Sequence, residues 1–128
     1  MRNIISLSLL VLLISSAFTC SKRSATRGCI KGKLVINGIC RQLVVQVIDN
    51  NIDTSRVQSN WLDASDNNKA YQHVFTIDNV CSYPQNISAG DVFYFNYNDN
   101  PPPQECAVCM AYRATPAKHN SISICNND

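Results

Sequence analysis

The residues that could do chemistry in this chain are few, and most of them are cysteines. Cys106-Ala107-Val108-Cys109 has the spacing used for thiol–disulfide exchange, and Met110 follows it directly. Exchange chemistry needs one thiol at a helix N-terminus, where the local dipole favours the thiolate. Here the pair sits in ECAVCMAY, which reads as a strand over Cys106 to Tyr112. Residues three apart on a strand point to opposite faces, so Cys106 and Cys109 are expected to bond to two different cysteines among Cys29, Cys40, Cys81 and Cys125, leaving the remaining two to pair. Soft-metal binding is the second chemistry. Cys106, Cys109 and Met110 suit copper(I), and His73 or His119 would complete a set. A strand disperses those side chains, and an oxidising compartment converts the thiols to disulfides, so no metal and no cofactor are expected. Thiol redox or soft-metal handling around Cys106 and Cys109 remains the alternative function.

Other catalytic groupings are missing. No hydrolase-type nucleophile elbow, glycine-rich phosphate loop or repeated carboxylate motif occurs, and a catalytic site needs an acid, base or nucleophile positioned in a cleft. Asp63 and Asp66 lie in a polar stretch and are expected to face solvent. His73 falls among apolar residues and reads as a half-buried strand residue. The chain is therefore expected not to be an enzyme.

Charge points the same way. The 128 residues carry a net charge of +2, with 45% hydrophobic and 16% charged residues. So low a charged share does not describe a charged disordered tail or a long solvated helix. Bases cluster early, at Lys22, Arg23, Arg27, Lys31, Lys33 and Arg41, with no acid between them. No aromatic residue interleaves that stretch, so the stacking platform of a single-strand binder is missing there and no nucleic-acid partner is expected.

Residues 1–19 have the order of a secretory signal: Arg2, an apolar run centred on Leu7 to Ile14, then small residues at Ser15, Ser16 and Ala17. The run is too short to span a bilayer comfortably. Ser15 and Ala17 would permit cleavage before Phe18. Cys20-Ser21-Lys22, following the small residues, resembles the lipoprotein signals of Bacteroidota, with Phe18 and Thr19 departing from the usual lipobox. That resemblance implies lipid on Cys20 and attachment to a membrane, with a soluble periplasmic or secreted form as the alternative. It also leaves six of the seven cysteines to pair. Residues 20–28 then form a polar tether and residues 29–128 a single domain.

That domain must position the cysteines with β-structure. Runs rich in β-branched and aromatic residues recur at Ile30 to Ile36, Cys40 to Asp49, Ala70 to Ile77, Val92 to Tyr97, Cys106 to Tyr112 and Ser121 to Cys125, separated by Asn, Gly, Asp and Pro. Fifteen asparagines supply turn residues rather than element interiors. Asn37-Gly38 predicts a two-residue type I′ hairpin, with Ile36 facing Ile39 and Val35 facing Cys40. A short loop favours a Cys29–Cys40 bond while this hairpin geometry opposes it, and both pairings stay open. Leu43, Val45 and Val47 form one core face, and Val44, Gln46 and Ile48 lie on the other with Cys40 and Gln42. Tyr71, His73, Phe75 and Ile77 form a further face. Between Thr54 and Asn68 a helical turn is expected, with Trp61 as a core or rim residue. Asn98 to Glu105, with three consecutive prolines, must be loop.

Gly90-Asp91 before the aromatic strand VFYFNY is similar to the turn that opens a strand in oligonucleotide/oligosaccharide-binding (OB) barrels, and the strands over Cys40 to Cys125 have a compatible order. The resemblance implies an all-β, small, partly open Greek-key barrel; a two-sheet sandwich is the alternative. The function expected is a structural or binding role in the cell envelope without catalysis, with another envelope protein or a carbohydrate as partner. Tyr71, Tyr94, Tyr97 and Tyr112 are the candidate aromatic contacts.

Overall fold

The computed structural model describes residues 28–109 and 111–126. The signal segment, Cys20, Met110 and all of the tether except Gly28 lie outside the described residues. Seven strands are present: β1 Ile30–Asn37, β2 Leu43–Val47, β3 Gln58–Asp63, β4 Lys69–Ile77, β5 Val92–Tyr97, β6 His119–Asn120 and β7 Ile122–Ile124. A short 3-10 turn, Val80–Ser82, joins β4 to the loop before β5. The chain is all-β, and its strands form one sheet in the order β3-β4-β2-β1-β5-β7, with β6 paired to β4.

Every pairing is antiparallel except the parallel β4–β6 contact. The C-terminal segment reaches two distant strands in succession. Thr76 N donates to Lys118 O at 2.8 Å and Asp78 N to Asn120 O at 3.0 Å; a few residues on, Asn98 N donates to Ser121 O and Cys125 N to Tyr94 O. One segment thus bonds to both β4 and β5, which curls the sheet into a partly open shape without closing it.

The concave side holds the main core of Leu34, Leu43, Val45, Val47, Val57, Phe75, Ile77, Tyr83, Phe93, Phe95 and Ile122. Alternation along β2 sends Leu43, Val45 and Val47 into it, as the sequence predicts. Phe95 is fully buried at its centre, with Phe75, Phe93 and Tyr97 rings 5.5 to 5.8 Å away. Tyr97 loses hydration there, which pushes its phenol up to about 12. Gly32 on β1 lies beneath the Phe95 ring: a Cβ there would come within 2.8 Å of Phe95 Cε1 and 3.0 Å of Val45 Cγ1. Because Phe95 is wedged on all sides, Gly32→Ala is expected to cost about 1–3 kcal/mol through overpacking. A urea unfolding midpoint equal to that of the parent protein would refute the crowding.

Several elements differ from the sequence expectation. The two-residue hairpin does not form: Asn37 pairs with Leu43 and Ile36 with Val44, so the loop runs from Gly38 to Gln42. Gly38 N donates to Gln42 O, Arg41 N donates to Gly38 O, and Arg41 takes the left-handed conformation with φ 57°. Ile39 therefore sits at the loop tip instead of facing Ile36, and β2 begins only at Leu43. Of the segment expected to contain a helical turn, residues 54–56 form a single turn, with Arg56 N donating to Asp53 O and Ser55 N to Asp53 Oδ1, and Gln58–Asp63 forms β3, where Trp61 and Asp63 bury on one side while Leu62 is exposed. Cys106 to Tyr112 is not a strand over its described residues, since no neighbouring strand is available to pair with it. The last strand is confined to Ile122–Ile124. The face proposed for Tyr71, His73, Phe75 and Ile77 breaks at His73, whose φ of 52° switches sides. Phe75 and Ile77 enter the main core while Tyr71 and Val74 face the other way.

Candidate functional site

All six cysteines of the described domain are paired: Cys29 with Cys125, Cys40 with Cys109, and Cys81 with Cys106. Cys106 and Cys109 thus take different partners. The cause is not opposed strand faces, because their segment is irregular. It is the route of the chain, which passes Cys81 in the 3-10 turn and then the Gly38–Gln42 loop. Their sulfurs are committed to bridges, and among the described residues no three His, Cys, Asp or Glu side chains gather to hold a metal.

After Cys109 the chain forms a strap over the convex side of the sheet. Gln42 Nε2 donates to Ala111 O at 2.8 Å, Arg113 Nη2 to Asp63 Oδ2 at 2.5 Å, and Thr76 Oγ1 to Pro116 O at 3.1 Å. Gln58 Oε1 accepts from Ala117 N at 2.8 Å. Pro116 is fully buried. The strap is anchored around a second apolar cluster of Ile36, Val44, Trp61 and Val74, with Val35 and Tyr71 at its margin. Here Asp63 departs from expectation: it is fully buried rather than solvent-facing, and accepts from both Arg113 and Ser65 N. A carboxylate can be carried into such a place because a guanidinium and an amide follow it in.

Beside this cluster the convex face opens into a groove of about 570 Å³ whose lining includes Lys33, Val35, Gln46, Lys69, Tyr71 and Gln72. Other surface clefts among the described residues include ones of 210 to 320 Å³. Register explains the groove. Lys33 lies opposite Gln46, and Gln46 opposite Val74, on the side away from Leu34, Val45 and Phe75. On β4, Lys69, Tyr71 and Gln72 complete the wall. Tyr71 stacks on Trp61 with centroids 5.8 Å apart and planes at 27°, and the Lys69 ammonium stands 5.3 Å from the Tyr71 centroid. Trp61 is 8% exposed, so it holds the tyrosine ring from behind while Tyr71 meets the groove. Among the described residues no carboxylate, histidine or cysteine lines the groove.

The four candidate tyrosines do not form one patch. Tyr71 is in the groove, and Tyr97 packs on Phe75 and Phe95 with the Arg56 guanidinium 4.6 Å over its ring. Tyr94 pairs across from Lys31, and Tyr112 stands 93% exposed near Ile39, which is 92% exposed. His73 lies on β4 and His119 on β6, where His119 Nδ1 is 2.8 Å from Asp78 Oδ1 at the surface. Gln46, Lys69 and Gln72 were not identifiable as a site from sequence, since only the strand register joins them to Lys33 and Tyr71.

Fold and groove together define a small all-β domain, stapled by three disulfides, with a concave ligand-sized surface on its sheet. Comparison with known protein families, with curated proteins and with solved structures finds no match.

Proposed function

We propose that this chain is an exported, noncatalytic domain of the cell envelope, held at a membrane by lipid on Cys20, that binds another envelope molecule through the convex face of a partly open Greek-key barrel of the OB type. The observation that carries this reading is the pairing of six cysteines between segments up to 96 residues apart, a network that persists only under oxidising conditions. The succession β1-β2-β4 with the C-terminal segment beside both β4 and β5 favours the Greek-key barrel over the two-sheet sandwich. The groove's lining supports binding over catalysis, because lysine, glutamine and tyrosine side chains with no carboxylate or histidine among them offer contacts rather than an acid–base pair. Among the described residues no helix is long and apolar enough to cross a membrane; the anchor in this proposal is the lipid on Cys20.

Intact-mass analysis of the native product, combined with alkylation before and after reduction, tests it. The expected result is a chain beginning at a lipid-modified Cys20 whose other six cysteines react only after reduction. An unmodified chain beginning at Phe18 would remove the anchor. Two or more cysteines reactive without reduction would return the redox and metal-handling alternative.

A further inference from the structure

Resting on the reading of the convex face as a binding surface, we infer that the groove between Lys33 and Lys69 takes an acidic glycan, a chain of sugar rings carrying carboxylates. Three observations point to this chemistry. First, two lysines line one concavity that no acid lines, and among the described residues neither is in an ion pair, the carboxylate of Asp63 across from Lys69 being buried against Arg113. A groove lined by cations and by no acid favours an anionic occupant.

Second, Gln46 and Gln72 line the same groove, and their carboxamides make no hydrogen bond with the described residues. Each offers a donor pair and an acceptor, which matches a hydroxyl, itself donor and acceptor. A bare inorganic anion would use the donors and leave the carbonyls idle. Third, Tyr71 is braced by Trp61 and presents an apolar surface at the groove. The Lys69 ammonium lies over that ring, so a saccharide carboxylate that pairs with Lys69 is held beside an aromatic surface on which the sugar's C–H groups can pack. Single-stranded nucleic acid fits less well. Consecutive bases need several stacking platforms, and the groove has one aromatic side chain.

The test uses the mature full chain with its disulfides intact, titrated with a tetragalacturonate and with its methyl ester, which keeps the rings and hydroxyls but removes the charges. Amide shifts followed by NMR are expected to move at Lys33, Gln46 and Lys69 to Gln72, with the ester binding about tenfold or more weakly. Lys33→Gln and Lys69→Gln, which leave the apolar cluster untouched, are each expected to weaken the acid by a similar factor; Tyr71→Ala should weaken acid and ester alike. Equal binding of acid and ester would overturn the acidic class and leave the binding surface standing. Tighter binding of a single-stranded oligonucleotide at the same residues would overturn the glycan in favour of nucleic acid. Shifts confined to other parts of the molecule, or none with either saccharide or the oligonucleotide at millimolar concentration, would overturn both the glycan and the binding surface.

Discussion

Replacing Cys29 and Cys125 together by serine is expected to lower folding stability by about 4–5 kcal/mol, the largest loss of the three disulfide deletions. The bridge spans 96 residues, against 69 for Cys40–Cys109 and 25 for Cys81–Cys106. Cross-linking distant positions removes more freedom from the unfolded chain, and the gain grows with the logarithm of the loop, so the shortest bridge still contributes about 3–4 kcal/mol. Small domains commonly have only about 5–15 kcal/mol in total, so loss of the longest bridge would leave the sheet close to its folding threshold. Urea midpoints of the three paired-serine variants provide the measurement. The order expected is Cys29/Cys125 lowest, then Cys40/Cys109, then Cys81/Cys106, and a reversed order would show that local packing rather than chain closure sets the contribution.

Trp61→Ala should be the most damaging single substitution on the convex side, at about 3–5 kcal/mol. Trp61 is 8% exposed and packs with Ile36, Val44 and Val74 beneath the strap. Its removal leaves a cavity that the strap cannot close, because Cys109 is bonded to the Gly38–Gln42 loop, Arg113 to β3 and Pro116 to β4. For a domain of this size each kcal/mol lowers Tm by roughly 4–8 °C, so a fall of about 12 °C or more is expected in a thermal melt. Tyr71 would lose the ring behind it, and its fluorescence should become more accessible to a quencher in the groove. A shift of only a degree or two would mean that the second cluster contributes little to folding.

The parts of the fold legible from sequence are those where one strand feature dominates. Alternation in LVVQV assigns both faces of β2, and the aromatic run after Gly90-Asp91 marks β5 exactly at Val92–Tyr97. That turn forms with Gly90 at φ 100° and Asp91 N donating to Ser88 O. What escaped notice has a common physical cause, in that tertiary partners override local propensity. QSNWLD carries little strand signature, yet it pairs along β4 from Asp63↔Lys69 to Gln58↔Val74. ECAVCMAY has the composition of a strand but lacks a partner, and two disulfides take it elsewhere. Asn37-Gly38 has the composition of a tight turn, but the loop is widened by the αL residue Arg41 and tied at Cys40. As for the groove, Tyr71 was visible as one candidate contact among four tyrosines, whereas its neighbours depend on a register set by β1, β2 and β4 together.

The pairing of Cys29 with Cys125 also determines how the domain bears a mechanical load. A pull on the chain ahead of Gly28 reaches β1 through Cys29 and, through the sulfur bridge, reaches β7 at nearly the same point. Both strands flank β5, which pairs with β1 on one side and β7 on the other. Tension is therefore divided between two strands held by a common neighbour, so β1 cannot be peeled from the sheet one hydrogen bond at a time. A head hung from a surface by its leader would keep its shape under drag that would unzip the same sheet once the bridge was reduced.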